Sequence, residues 1–226
     1  MSNTSKPLIY LASASPRRSA LLHQIGVAHH VWPVEVDERV HAAEQPPCYV
    51  QRLADTKARA LWARLGDVRL PVLAADTAVV IDEAILGKPR DEADGLRMLR
   101  RLSGCTHAVY TAVAVCRSDR CEMALSVSEV TFRSLSEEEI LTYWRSGEPA
   151  DKAGAYAVQG RAALYIERIA GSYSGIMGLP IFETGQLLQA AGVPLTDSWA
   201  PAQDEHTELP TQASSKRIST AAEVRG

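Results

Sequence analysis

Residues 106–135, THAVYTAVAVCRSDRCEMALSVSEVTFRSL, form two long strand-like runs around one polar turn, CRSDRC. A hairpin of this length commits the middle of the chain to antiparallel pairing. The residues before it alternate differently. PLIYLA (7–12) reads as a buried strand. Ser15 then suits a helix N-cap and Pro16 the first helical position, with Ala20, Leu21, Leu22 and Ile25 as an apolar stripe and Gly26 as the stop. Residues 27–36 are predicted to be a second strand, and residues 46–66 a helix with Val50, Leu53, Ala54, Ala58, Leu61, Trp62 and Leu65 inward. Residues 70–91 read as strand, tight turn, short strand and loop. Asp91 caps a helix carrying Leu96, Leu99 and Leu102, which Gly104 ends. After the hairpin, SEEE (136–139) is a capping box for a helix closed by Gly147. A small-residue loop (151–160), a strand (162–171) and a last helix (178–192) follow. Strands alternating with helices early, then a hairpin, predict an α/β fold: a mixed twisted sheet flanked by helices. Beyond Asp197 the chain is polar and aperiodic. Residues 1–196 are therefore expected to be one domain and 197–226 a disordered tail.

Composition narrows the function classes. A hydrophobic share of 46% is enough for a core, and a formal net charge of −3 argues against a broad nucleic-acid-binding face. No run of about 18 apolar residues occurs and the N-terminus lacks a leader pattern, so a cytoplasmic protein without a membrane partner is expected. Cys48, Cys105, Cys116 and Cys121 contain no CxxC, and Cys116 and Cys121 have no histidines nearby at metal spacing; reduced, mostly structural thiols are expected. His29 and His30 are adjacent and so project to opposite sides of a strand. Ser13 and Ser15 have no identifiable His/Asp relay.

LASASPRR (11–18) puts two arginines at a helix start, where they oppose the helix dipole and call for an offsetting anion. A strand-to-helix junction offers free N–H groups to phosphate. Ser13 and Ser15 add hydroxyls and the guanidinium forks match phosphate oxygens. Two solvated surface arginines are the alternative. Lys57 shares the apolar stripe of its helix with Val50 and Leu61, so it either snorkels to water or reaches into a pocket. Asp76 lies between two apolar runs in LAADTAVV and needs a partner. It can be a turn or edge residue, half of a buried ion pair, or a metal and water ligand, the last favoured by its strand position. EVDE (35–38) is either an acidic loop or the source of Glu38 as a second carboxylate for a hard cation. Lys88, in LGKPRD, is either solvated surface or a further cation beside Arg17, Arg18 and Lys57. Several cations with two carboxylates is an inventory suited to a metal-bound polyphosphate. No GxxxxGK[ST] occurs, so this is not a P-loop.

Seven segments in order carry a family resemblance: LASASPRR, VDE (36–38), ADT (75–77), LGKPRD (86–91), LSGCTHAVYTAVAV (102–115), DKAGAYAVQG (151–160) and GLP (178–180). Over about residues 7–193 the chain resembles the Maf family of nucleoside triphosphate pyrophosphatases. The resemblance implies an inosine-triphosphatase-like fold with a deep cleft between two lobes. It implies metal-dependent hydrolysis (Mg or Mn) between the α and β phosphates, in a homodimer. By position Asp76 would accept the proton of the attacking water, with Glu38 its metal-binding companion. Ser13, Arg17, Arg18, Lys57 and Lys88 would hold phosphates, and Arg17, Thr77 and Gln159 would set substrate preference. The 151–160 loop resembles the subgroup acting on dTTP and UTP. Gln159 can read a pyrimidine edge because its amide both donates and accepts. A 7-methyl-GTP pyrophosphatase and a non-catalytic nucleotide-binding division regulator are the alternatives. Ala157 stands where this subgroup usually carries glycine, and a left-handed backbone there would strain it. Gly175 stands where asparagine is common.

Overall fold

The computed structural model describes residues 6–66, 70–118 and 120–195. Seven strands make one mixed sheet: β1 (Ile9–Leu11), β2 (His29–Val31), β3 (Val72–Ile81), β4 (Ala84–Leu86), β5 (Thr106–Arg117), β6 (Arg120–Phe132) and β7 (Ile166–Ala170). Their order is β2-β1-β3-β5-β6-β7, with β4 beside β3. β1 runs parallel to both β2 and β3, and the remaining pairings are antiparallel. The long hairpin is present as the sequence predicts, β5 and β6 pairing from Thr106–Thr131 to Arg117–Arg120.

Helices cover both faces. They are α1 (Pro16–Gln24), α2 (Pro46–Arg64), α3 (Glu92–Leu102), α4 (Glu137–Arg145), α5 (Tyr173–Met177) and α6 (Ile181–Ala190). Side chains alternate along β3, so Val72, Ala74, Ala78 and Val80 meet Val50, Ala54, Ala58 and Leu61 of α2. The alanines on both surfaces let α2 lie close to the sheet. On the other face Leu73 and Ala75 join Leu21 and Leu22 of α1 and Leu188 of α6. Further along that face Val79 and Ile81 join Leu99 and Leu102 of α3 and Ile140 and Tyr143 of α4. The predicted caps form. Asp91 accepts from the Asp94 N–H at 2.8 Å, and Ser136 and Glu139 make a reciprocal capping box.

Several expectations are corrected. The second strand shrinks from 27–36 to His29–Val31, because Pro33 removes a donor at the sheet edge. Residues 161–165 form a 3-10 turn rather than the start of β7. The five-residue helix α5, capped by Ser172, is too short to leave a periodic signal. Cys116 and Cys121 are not reduced thiols: the β5–β6 register sets them directly opposite, with Cα atoms 4.1 Å apart, and they are joined in a disulfide. Cys48 and Cys105 are free and exposed. The expected tail lies outside the described residues. Among the described residues no helix is long and apolar enough to cross a membrane.

His107, near the start of β5, is 2% exposed. Its Nε2 lies 2.8 Å from the Tyr156 hydroxyl, while Nδ1 has no partner among the described residues. Burial pulls its pKa from 6.5 to about 4. The unfolded chain therefore binds a proton that the folded chain refuses, and stability falls as pH drops from about 6.5 towards 4. That difference corresponds to about 3 kcal/mol of lost unfolding free energy. Urea unfolding at pH 7 and pH 4 is expected to show this loss in the native chain and a smaller one in His107→Gln. An equal pH dependence in both proteins would contradict it.

Candidate active site

The site begins with an interruption in the sheet. β1 pairs with β3 only at Val72 and Leu73, and β4 takes up the same edge at Val79–Ile81. Between them, residues 74–78 have β5 on one side and no strand on the other. Asp76 and Thr77 occupy this open edge, and alternation sends their side chains to opposite faces.

On the α2 face, Asp76 is 8% exposed. Lys57 Nζ donates to Asp76 Oδ1 at 2.7 Å and contacts Glu38 Oε1 at 2.6 Å. Lys57 thus does not snorkel; its helix position between Ala54 and Leu61 points it at the strand, and it is buried. Burial raises the Asp76 pKa against the opposing pull of Lys57 and Arg18. Burial also works to raise Glu38, but the Lys57 hydrogen bond and charge, helped by Lys88 and Arg18, hold it below its ordinary value. Glu38 is the more exposed carboxylate of the two, with its side chain 55% accessible against 11% for Asp76. Two acids share one cation, the buried one shifted up and the more exposed one shifted down from their ordinary values.

The loop carrying Glu38 is fastened to α2 by residues that local sequence patterns did not single out. The Tyr49 hydroxyl donates to the Glu38 carbonyl at 3.0 Å. Arg52 donates to the Arg39 carbonyl at 3.1 Å and pairs with Glu44 at 2.6 Å. Burial, reinforced by the Asp76 and Glu38 charges, pushes the Tyr49 phenol up to about 12, so it stays a donor. Tyr49 lies two helical turns before Lys57, a spacing that could have flagged it.

On the opposite face a second group assembles around Arg18. Its guanidinium donates to Ser13 Oγ at 2.9 Å, to the Gly178 carbonyl at 2.8 Å and to Thr77 Oγ1 at 3.4 Å. Thr111, buried on β5, donates to the Gly175 carbonyl at 2.8 Å and lies 3.0 Å from Thr77 Oγ1. Gly178 ends α5 at φ +117°, and an added Cβ would come within 3.4 Å of Arg18 Nε. The left-handed backbone favours glycine there, while a Cβ would sit at ordinary contact distance from the guanidinium. Burial lowers the Arg18 pKa, the nearby Asp76 charge opposing it. Ser13, Arg18 and Thr77 are therefore one hydrogen-bonded unit, and Thr111 and Gly178 are its additional members.

Three predicted residues lie further out. Arg17, half-buried at the start of α1, is close enough for its charge to lower the Asp151 carboxyl, after the larger effect of Lys152. Lys88 is exposed and lines a cavity of about 410 Å³ shared with Arg90, Arg97 and Arg101; its charge also reaches Glu38. Gln159 is exposed in the 151–160 loop. That loop is tied to the segment preceding Lys88 by the Gly154 N–H, 3.0 Å from the Gly87 carbonyl. Its left-handed positions are Gly154 (φ 68°) and Ala155 (φ 57°), and Ala157 is not among them. The alanine at 157 is thus free of the expected strain.

Among the described residues no group of three or more His, Cys, Asp or Glu side chains converges as a metal cage. A hard divalent cation does not need one, because it takes most of its ligands from water and phosphate. Lys57 Nζ marks a point on which the Asp76 and Glu38 carboxylates already converge around positive charge. The oxygen-only donor pair fits magnesium or manganese.

A family described as Maf-like protein matches residues 8–191. A dTTP/UTP pyrophosphatase of Methylobacillus flagellatus is 53% identical over 185 residues, covering 82% of this chain and 93% of that protein. Proteins of the same name from Saccharophagus degradans and Alkalilimnicola ehrlichii are 52% and 51% identical, covering 85% and 86% of this chain and 93% and 98% of their own lengths.

Proposed function

The chain belongs to the Maf-like protein family, and from that premise we propose that it hydrolyses nucleoside triphosphates, dTTP and UTP preferred, to nucleoside monophosphate and pyrophosphate. The observation that carries this is the Lys57 ammonium held between Asp76 and Glu38 at the open edge of β3. Water attacks the α-phosphorus, the bond from that phosphorus to the αβ bridging oxygen breaks, and pyrophosphate leaves. Asp76 accepts the water's proton on a carboxylate oxygen. Its raised pKa suits this role, since a base works best near the ambient pH. Arg17, Lys57 and Lys88 bind phosphate oxygens and offset the charge growing on the leaving group. Arg18, engaged by Ser13, Thr77 and Gly178, fixes the phosphate-facing end of β1 relative to β3. Asp76 and Glu38 hold magnesium or manganese, which supplies charge neutralisation when bound. Thr77, Arg17 and Gln159 favour a pyrimidine, Gln159 through its paired donor and acceptor. We place the enzyme in the cytoplasm as a homodimer that clears surplus or aberrant nucleotides.

A substrate panel tests this reading. Pyrophosphate release is measured with dTTP, UTP, CTP and 7-methyl-GTP, in magnesium or manganese and again with chelator. The highest kcat/KM is expected for dTTP and UTP, with activity lost in chelator. A preference for 7-methyl-GTP would remove the role given to Gln159. Nucleotide binding without hydrolysis would indicate a regulator.

A further inference from the structure

The turn of the 151–160 loop that carries Gln159 is held on both sides by side chains from outside the loop. Residues 157–160 form a turn closed by the Gly160 N–H to the Ala157 carbonyl at 2.9 Å, with Gln159 inside it. Each end is anchored outside the loop. The Ala157 N–H donates to the Tyr143 hydroxyl at 3.2 Å. The Arg161 N–H donates to both Glu148 carboxylate oxygens, at 3.0 and 3.1 Å. The anchors are joined, because the Tyr143 hydroxyl donates to Glu148 Oε1 at 2.8 Å. Gly160 lies against the same carboxylate so closely that an added Cβ would sit 2.3 Å from Oε1.

We propose that Tyr143 and Glu148 are positioning residues for nucleobase selection: they clamp the two ends of the turn and so fix where the Gln159 amide points. The inference rests on Gln159 facing the base, as proposed above. Its physical basis is pre-organisation. A glutamine that must be ordered on binding costs side-chain and backbone entropy, whereas one on a clamped turn has already lost much of it. The phenol suits a relay because one hydroxyl accepts from Ala157 while donating to Glu148. Burial, with the Glu148 carboxylate beside it, pushes the Tyr143 pKa up and keeps that proton in place. Helix α4 thus connects to base choice without touching substrate.

The test compares Tyr143→Phe, Glu148→Ala and Gln159→Ala in the full chain, with kcat and KM for dTTP and for GTP as a purine comparator. Tyr143→Phe removes one oxygen and little volume; Glu148→Ala approaches the turn from its other end should the phenylalanine variant fail to fold. In both, KM for dTTP is expected to rise about tenfold, the scale of a lost ordering hydrogen bond, with kcat little changed. The dTTP-over-GTP ratio should fall by a similar factor. Combining Tyr143→Phe with Gln159→Ala should cost no more selectivity than Gln159→Ala alone, because the clamp acts only through that amide. A merely structural role would lower thermal stability and reduce both substrates equally. If Gln159→Ala lowers the ratio while neither clamp variant does, the clamp is overturned and the reading of Gln159 stands. If Gln159→Ala leaves the ratio unchanged, the reading of Gln159 fails, and the clamp's role in selection with it.

Discussion

Asp76→Asn is expected to reduce turnover of dTTP by about a thousandfold, the scale of a lost general base. The amide has nearly the shape of the carboxylate but cannot take a proton from water. The fold should survive, because the substitution removes a charge that burial already disfavours and leaves Lys57 paired with Glu38. The urea midpoint should therefore move little while pyrophosphate release nearly ceases. The two measurements together distinguish a chemical role from a structural one. Near-native release by a folded Asp76→Asn protein would take Asp76 out of the mechanism and leave the open edge of β3 without an assigned base.

Lys57→Met should damage both activity and stability. Its ammonium is the shared partner of a buried and a half-exposed carboxylate. Removing it leaves Asp76 uncompensated at a site with little access to water, a change that costs about 3–5 kcal/mol when a buried pair is broken from one side. Glu38 reaches solvent and moderates the loss. Turnover should fall as well, since a cation proposed to bind the phosphates is gone. The double variant Lys57→Met, Asp76→Asn should recover most of the stability and none of the activity, because no unpaired buried charge remains. Equilibrium unfolding of the single and double variants checks this. A double variant no more stable than Lys57→Met would locate the damage in packing of the lysine stem rather than in charge.

Much of the site was legible because charge stood where the pattern called for apolar residues. Lys57 on the inner stripe of α2 and Asp76 inside a strand-like run are exceptions that folding must accommodate, and they meet at 2.7 Å. The capping signals at Asp91 and Ser136 are local, so adjacent residues suffice to read them. What escaped depends on register and distance along the chain. Thr111 reaches Thr77 only because β5 pairs with β3 in a register that places them opposite. Gly178 meets Arg18 across 160 residues of sequence. The Cys116–Cys121 disulfide follows from hairpin register, which the turn composition did not specify. Tyr49 and Tyr143 carry no local signal, since their value lies in one hydroxyl whose partner is on another element.

Residues 74–78 leave one edge of a central strand without a neighbour, which in most sheets invites a foreign strand to add on and seed aggregation. Here β1 closes the stretch at one end and β4 at the other. The remaining opening is too short for an intruding chain to establish a ladder. The backbone there is also largely buried, Ala74, Ala75 and Ala78 being 2% exposed or less, and lengthening the opening by loss of β4 would weaken this protection.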